Sequence, residues 1–139
     1  AWRASVAALV LAGSALGCGG PRTECTQLIE RINERGGELD QALKDKRAEG
    51  AGEDLRKVAT LLERGAQAVA ELQLSDGGLA AIAKRYAALT KDAAKASRDM
   101  AKAVEDKDAA AMAAAHEAME RIVAGEDPLL EELNAHCGS

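Results

Sequence analysis

The side chains that could bind a metal ion lie mainly in the last third of the chain. Met112, His116 and Met119 follow one another at spacings of four and three residues, so they share one face of a helix. Thioether sulfur and imidazole nitrogen suit copper, and a Met/His pair can ligate haem. The ordinary alternative is that methionines fill gaps in an alanine-rich core. We expect no metal or cofactor and keep these three residues as the candidates for a ligand-binding bundle.

A ferritin-like di-metal site and an enzyme active site are both disfavoured. The ferritin-like motif places Glu three residues before His, but Ala113 stands at that spacing before His116 and Leu133 before His136. No group of residues combines a nucleophile, a general base and oxyanion donors. We therefore expect no catalytic residues and no enzyme activity.

The N-terminal segment has the pattern of an export signal. Arg3 precedes an apolar stretch that runs from Val6 to Cys18. This stretch suits the apolar region of a signal peptide, and it is short for a transmembrane helix, which needs roughly 20 residues. The alternative is an uncleaved anchor or an apolar tail.

The end of this stretch, Ala15-Leu16-Gly17-Cys18, resembles the lipobox of bacterial lipoproteins, whose last two positions Gly17 and Cys18 match. The resemblance implies that a peptidase cleaves before Cys18 and that this cysteine carries two or three acyl chains, enough for a stable membrane anchor. It implies a location in the cell envelope, with the outer membrane favoured in a cell that has two, because Gly19 follows the cysteine.

This assignment divides the chain into three parts. Residues 1–17 form the signal peptide, 18–24 a lipidated spacer and 25–139 a helical domain. The length of the last part allows one hydrophobic core and not two.

With Cys18 assigned to lipid, Cys25 and Cys137 remain at opposite ends of the domain. An exported domain lies in an oxidising compartment, where disulfides persist. His136 and Cys137 do not suggest a metal-binding pair, because adjacent residues of a helix point to different sides. We predict a structural Cys25–Cys137 disulfide; the alternative is two unpaired thiols.

Composition predicts an all-α protein and argues against nucleic acid as a partner. Good helix formers dominate, and the aromatic residues are limited to Trp2 and Tyr86. The net charge is −5, and the basic residues are mixed with acidic ones, whereas nucleic-acid binding needs clustered Lys and Arg.

Apolar residues at spacings of three and four predict four helices. They cover about 23–46, 53–72, 78–105 and 108–137. We expect Gly36-Gly37 to weaken or kink the first helix without dividing it, and we expect the stretch from Ala48 to Gly52 to form a loop. Tyr86 is expected to bury its ring in the core, with its hydroxyl hydrogen-bonded.

Helix ends are predicted from capping residues. Ser75 or Asp76 should cap the third helix and Asp108 the fourth. Pro128 should break or kink the fourth helix, with Asp127 as the N-cap of a final segment.

Four amphipathic helices with short links predict an up-down-up-down four-helix bundle, with a three-helix bundle as the alternative. The bundle topology places Cys25 and Cys137 at the same end, which agrees with the predicted disulfide. We expect a non-catalytic, lipid-anchored envelope protein that binds an envelope protein or has a structural role. The alternative is a bundle that binds a metal, haem or a small ligand.

Overall fold

The computed structural model describes residues 20–44 and 50–138, and the elements in these ranges are four helices. They are α1 (Pro21–Lys44), α2 (Ala51–Ala70), α3 (Gly77–Asp106) and α4 (Ala109–Gly138). The described ranges contain no strand. The predicted all-α class and the four helices are confirmed.

The helices pack in chain order, α1 on α2, α2 on α3 and α3 on α4. The first helix approaches α3 and α4 at only a few positions. The start of α1, the loop between α2 and α3, and the end of α4 meet at one end of the bundle, which we call the disulfide end. The prediction of a four-helix bundle is therefore confirmed, and the three-helix alternative is wrong.

The disulfide end contains the larger core, which we call the leucine cluster. All four helices contribute to it, and Leu28 and Leu79 are fully buried in it. Its buried members are Cys25, Leu28, Ile29, Ile32, Val69, Leu79, Ile82, Ala83, Leu129 and Leu133.

A second core, the alanine cluster, lies further along the bundle. Its buried members are Ala93, Ala96 and Met119, with the partly buried Leu62, Met100, Ala118 and Ile122 packed against them. These residues belong to α2, α3 and α4. Beside them Ser97, which is fully buried, donates a hydrogen bond of 2.8 Å from its hydroxyl to the Leu55 carbonyl. The small side chains let α3 approach both of its neighbours.

The first helix begins earlier than predicted. It starts at Pro21, so the last four residues of the predicted spacer are helical. Proline suits a first helical position because no intrahelical N–H bond is needed there. The Gly20 carbonyl accepts the first bond, from the Thr23 N–H at 2.8 Å. The helix is continuous across Gly36-Gly37, as predicted.

The loop predicted from Ala48 to Gly52 is wrong for its last two residues. Helix α2 begins at Ala51, after Gly50 with φ 115°, a left-handed conformation that favours glycine. Gly52 is buried, and a Cβ atom there would lie 3.5 Å from the Ala101 carbonyl oxygen. Packing of α2 on α3 thus extends the helix into residues that resemble a loop in composition.

The predicted break of the fourth helix at Pro128, with Asp127 as the N-cap of a final segment, is wrong, and the alternative of a kink stays a prediction. Helix α4 continues through Pro128 to Gly138. Pro128 removes one backbone hydrogen bond to the Ala124 carbonyl, but both residues are exposed, so water can satisfy that carbonyl. Leu129 and Leu133 are buried after the proline, and their packing holds the helix in place.

The N-caps predicted for α3 and α4 are confirmed. Asp76 caps α3 by accepting the Leu79 N–H at 2.8 Å. Asp108 caps α4 by accepting the Ala111 N–H at 2.9 Å. Only Lys107 and Asp108 separate α3 from α4, and Lys107 takes the left-handed conformation, with φ 53°, that ends α3.

Candidate functional site at the disulfide end

The structure brings Cys25 and Cys137 together at disulfide distance, as predicted. The two sulfur atoms are 2.06 Å apart and the Cα atoms 5.8 Å apart, across a sequence separation of 112. Cys25 is buried in the first turns of α1, and Cys137 is half-buried in the last turn of α4. The bond joins two helices that otherwise approach each other at few positions.

A carboxylate next to Cys25 holds the loop between α2 and α3. Glu24 accepts hydrogen bonds from the backbone N–H groups of Ser75 at 2.9 Å and Asp76 at 3.0 Å. It also accepts one from the Ser75 hydroxyl. The pKa of Glu24 is lowered, first by the Ser75 hydroxyl and then by the two backbone N–H groups, because these donors favour the ionised carboxyl group. The first turn of α1 is thereby fixed to the start of α3.

The same loop is tied to the end of α4. The Nε2 atom of His136 lies 3.0 Å from Asp76 Oδ1. The Leu79 N–H, and after it the contact with His136, lower the pKa of Asp76. Glu24, Ser75, Asp76 and His136 form a cluster that we call the polar clamp.

The position of the His136 ring leaves no room for a side chain at residue 78, so this residue is glycine. A Cβ atom at Gly78 would lie 2.7 Å from His136 Cε1 and 3.3 Å from Asp76 Oδ1. The absence of a side chain lets the imidazole ring lie over the first turn of α3. Any larger residue at this position would displace the ring.

The polar clamp and the disulfide together join three segments of chain that are far apart in sequence. The two carboxylates of the polar clamp, Glu24 and Asp76, accept hydrogen bonds from backbone N–H groups at the start of α3. The helix dipole favours negative charge at this position. The Ser75 hydroxyl donates to the Glu24 carboxylate, and the imidazole of His136 contacts Asp76. The polar side chains of the cluster are thus paired with one another, beside one reducible bond.

The candidate ligands Met112, His116 and Met119 all lie on α4 and differ in exposure. Met119 is buried in the alanine cluster, Met112 is half-buried and His116 is exposed, with its Nδ1 atom 3.7 Å from Glu120 Oε1. In the described part of the chain, no group of three His, Cys, Asp or Glu residues has the arrangement of a metal site.

Tyr86 lies at the edge of the leucine cluster. It packs against the leucine cluster, and burial raises the pKa of its hydroxyl to about 12, an effect to which the carboxylate of Glu126 adds. The Thr90 hydroxyl donates to the Tyr86 backbone carbonyl at 2.9 Å. The predicted packing of the ring against the core is confirmed, and the hydrogen bond of its hydroxyl stays a prediction. Glu126 is half-buried, and this burial raises its pKa.

An open groove runs between α3 and α4 on the outside of the alanine cluster. It consists of two adjoining depressions of about 340 and 410 Å³, which share Asp99 and Ala118. Most of its lining residues are alanines or charged residues. The alanines are Ala96, Ala103, Ala111, Ala114, Ala115 and Ala118.

The predicted lipobox and Cys18 lie outside the described residues. Between residues 20 and 138, apart from 45–49, no helix combines the length and the apolar composition needed to cross a membrane.

Sequence reasoning identified Cys25, Cys137 and Asp76, but it missed Glu24, Gly78 and the role of His136. A signal was present, because the predicted bundle places both cysteines and the loop before α3 at one end. Polar residues adjacent to the cysteines, Glu24 and His136, are then the natural partners for the exposed N–H groups of that loop.

No protein-family model, curated protein or solved structure matches this chain.

Proposed function

We propose that this protein is a lipid-anchored protein of the bacterial cell envelope, and that its helical bundle acts by binding a protein partner or by a structural role, without catalysis. The observation that carries the proposal is where the chain enters the bundle. Gly20 immediately precedes α1, and Cys18 lies two residues before Gly20. Two residues of extended chain span roughly 7 Å at most.

An acylated Cys18 would therefore hold the disulfide end of the bundle at the membrane surface. The Cys25–Cys137 pair supports an exported location, because disulfides persist in oxidising compartments and are rare in the cytosol. The lengths of α3 and α4, 30 residues each, correspond to about 45 Å. The far end of the bundle and the groove between α3 and α4 would then face away from the membrane, where a partner could reach them.

The substitution Cys18→Ala tests the anchor in intact cells. We expect the domain to move from the membrane fraction to the soluble fraction, or to keep its leader and gain the corresponding mass. The matched control is Cys137→Ala, which removes a different cysteine and should leave the protein in the membrane fraction. Unchanged processing and fractionation of Cys18→Ala would contradict the lipoprotein proposal.

The binding role is tested by photo-crosslinking in the intact envelope. A crosslinking residue is placed at Ala114, in the groove between α3 and α4, and for comparison at Ala70, an exposed alanine of α2. We expect a specific protein adduct that depends on the position of the crosslinker. The same adducts from both positions, or a stoichiometric metal or Soret band in the protein purified from envelopes, would contradict partner binding as the function.

A further inference from the structure

The first helix is attached to the rest of the bundle mainly through its first half. Its buried residues are Cys25, Leu28, Ile29 and Ile32. From residue 33 to Lys44 every residue is exposed or half-buried. The buried contacts of α1 are thus concentrated at the disulfide end, while in its second half Arg35 packs beside Gly65 of α2.

Helices α2, α3 and α4 have contacts of their own that do not involve α1. The alanine cluster contains residues of these three helices. Arg98 binds Glu63 through two hydrogen bonds, of 2.9 and 2.6 Å, and so joins α3 to α2. Arg85 binds Glu132 at 2.8 Å and joins α3 to α4. These contacts remain available when α1 is detached.

The disulfide is the covalent bond between α1 and α4, and its two sulfur atoms differ in accessibility. Cys25 is 7% exposed, whereas Cys137 is half-buried in the last turn of α4. An incoming thiolate can therefore reach the Cys137 sulfur more easily than the Cys25 sulfur.

We propose that the Cys25–Cys137 bond is a redox-sensitive latch, whose reduction detaches the first half of α1 while α2, α3 and α4 stay packed. A dithiol supplies the two electrons. Its first thiolate attacks the Cys137 sulfur and forms a mixed disulfide, and Cys25 leaves as a thiolate that takes up a proton. The second thiolate of the dithiol then displaces Cys137, which is also protonated, and the reductant leaves as a disulfide.

Detachment would uncover part of the leucine cluster. Leu79 and Leu133 are almost completely buried in the oxidised protein, in the same cluster as Leu28 and Ile29 of α1. Their exposure would create an apolar surface at the disulfide end. The hydrogen bonds of Glu24 and the burial of Leu28 and Ile29 would resist this opening, so it would occur as a fluctuation that becomes more frequent without the covalent bond.

Hydrogen exchange of the full chain, with and without dithiothreitol, tests the latch. On reduction we expect the amides of residues 25–32 to exchange roughly tenfold faster or more. The disulfide ties this part of α1 to α4, and without it α1 can open while α4 stays in place. Amides of residues 58–69 and 93–103 should change much less. The double substitution Cys25→Ser with Cys137→Ser should reproduce this pattern without reductant, and Cys18→Ser, which leaves the pair intact, is the matched control.

Two results would overturn the latch. Equal acceleration in all four helices would mean that the bond stabilises the bundle as a whole, and unchanged exchange in residues 25–32 would mean that α1 is held without it. If the double variant fails to fold, the reduced wild-type chain still gives one of these outcomes. Neither result bears on the lipid anchor, which is tested separately through Cys18.

Discussion

At the disulfide end, large apolar side chains from all four helices pack around a covalent bond. The polar clamp adds hydrogen bonds between the start of α1, the loop before α3 and the end of α4. In the alanine cluster, the core residues are alanine and methionine from three helices, with exposed ion pairs such as Arg98–Glu63 at its edge. Exposed ion pairs contribute only about 0–1 kcal/mol each. Stability is therefore expected to be concentrated near the proposed anchor, while the other half of the bundle is bound mainly by close helix contact.

The largest expected difference between the two regions is in the cost of truncating a core side chain. Leu79→Ala removes a fully buried side chain of the leucine cluster and should lower the free energy of unfolding by about 3–5 kcal/mol. Met119→Ala in the alanine cluster should cost about 2 kcal/mol, at the low end of the range for such truncations, because the partly buried Leu62, Met100 and Ile122 around it can shift into the gap. Chemical denaturation of both variants measures the two costs. Equal losses would show that the two cores stabilise the protein to the same extent.

A smaller effect is expected where the polar clamp lies against α3. Gly78→Ala should stabilise the helix by roughly 0.5–1 kcal/mol when His136 is also replaced by alanine, because glycine is the poorer helix former. With His136 present, the added Cβ would lie 2.7 Å from Cε1 of the ring, so we expect the gain to disappear. A double-mutant cycle by thermal unfolding measures this dependence. If Gly78→Ala has the same effect in both backgrounds, the imidazole ring does not lie over α3.

The contrast between the regions also explains which features could be predicted from sequence. The four helices and the pairing of Cys25 with Cys137 follow from apolar spacing and bundle topology, which are local and periodic signals. The continuity of α4 through Pro128 depends on the burial of Leu129 and on the exposure of Ala124. The presence of a proline in the sequence gives neither of these two properties. The helical start of α2 similarly depends on contact with α3.

The polar clamp was harder to predict because its members are far apart in sequence. Glu24 meets Ser75 and Asp76 across 51 and 52 positions, and Asp76 meets His136 across 60. None of these pairs leaves a periodic pattern in the sequence. The spacing of Met112 and His116 indicates a common face of α4, but a spacing does not give the exposure of the imidazole, which the structure leaves open to solvent.

The smallest expected effect is a loss of stability of the disulfide end at acidic pH, which is not seen at neutral pH. The pKa values of Glu24 and Asp76 are lowered in the folded protein, by hydrogen bonds to their ionised forms. The unfolded chain therefore binds more protons than the folded one at acidic pH. The stability from both groups is fully present above their ordinary pKa values of 4.5 and 3.8, and it is lost as the pH falls through the lower pKa values of the folded state.

The substitution Glu24→Gln tests this expectation. It keeps one acceptor oxygen for the N–H groups of the loop but removes the titrating charge, so the melting temperature should fall less steeply below pH 4.5 than in the wild type. Glu30→Gln changes the net charge equally on the exposed side of α1 and is the matched control. If Glu24→Gln and the wild type lose stability in parallel between neutral and acidic pH, the Glu24 carboxylate does not hold the loop. The acid response of the disulfide end would then have to come from Asp76, the other carboxylate of the polar clamp.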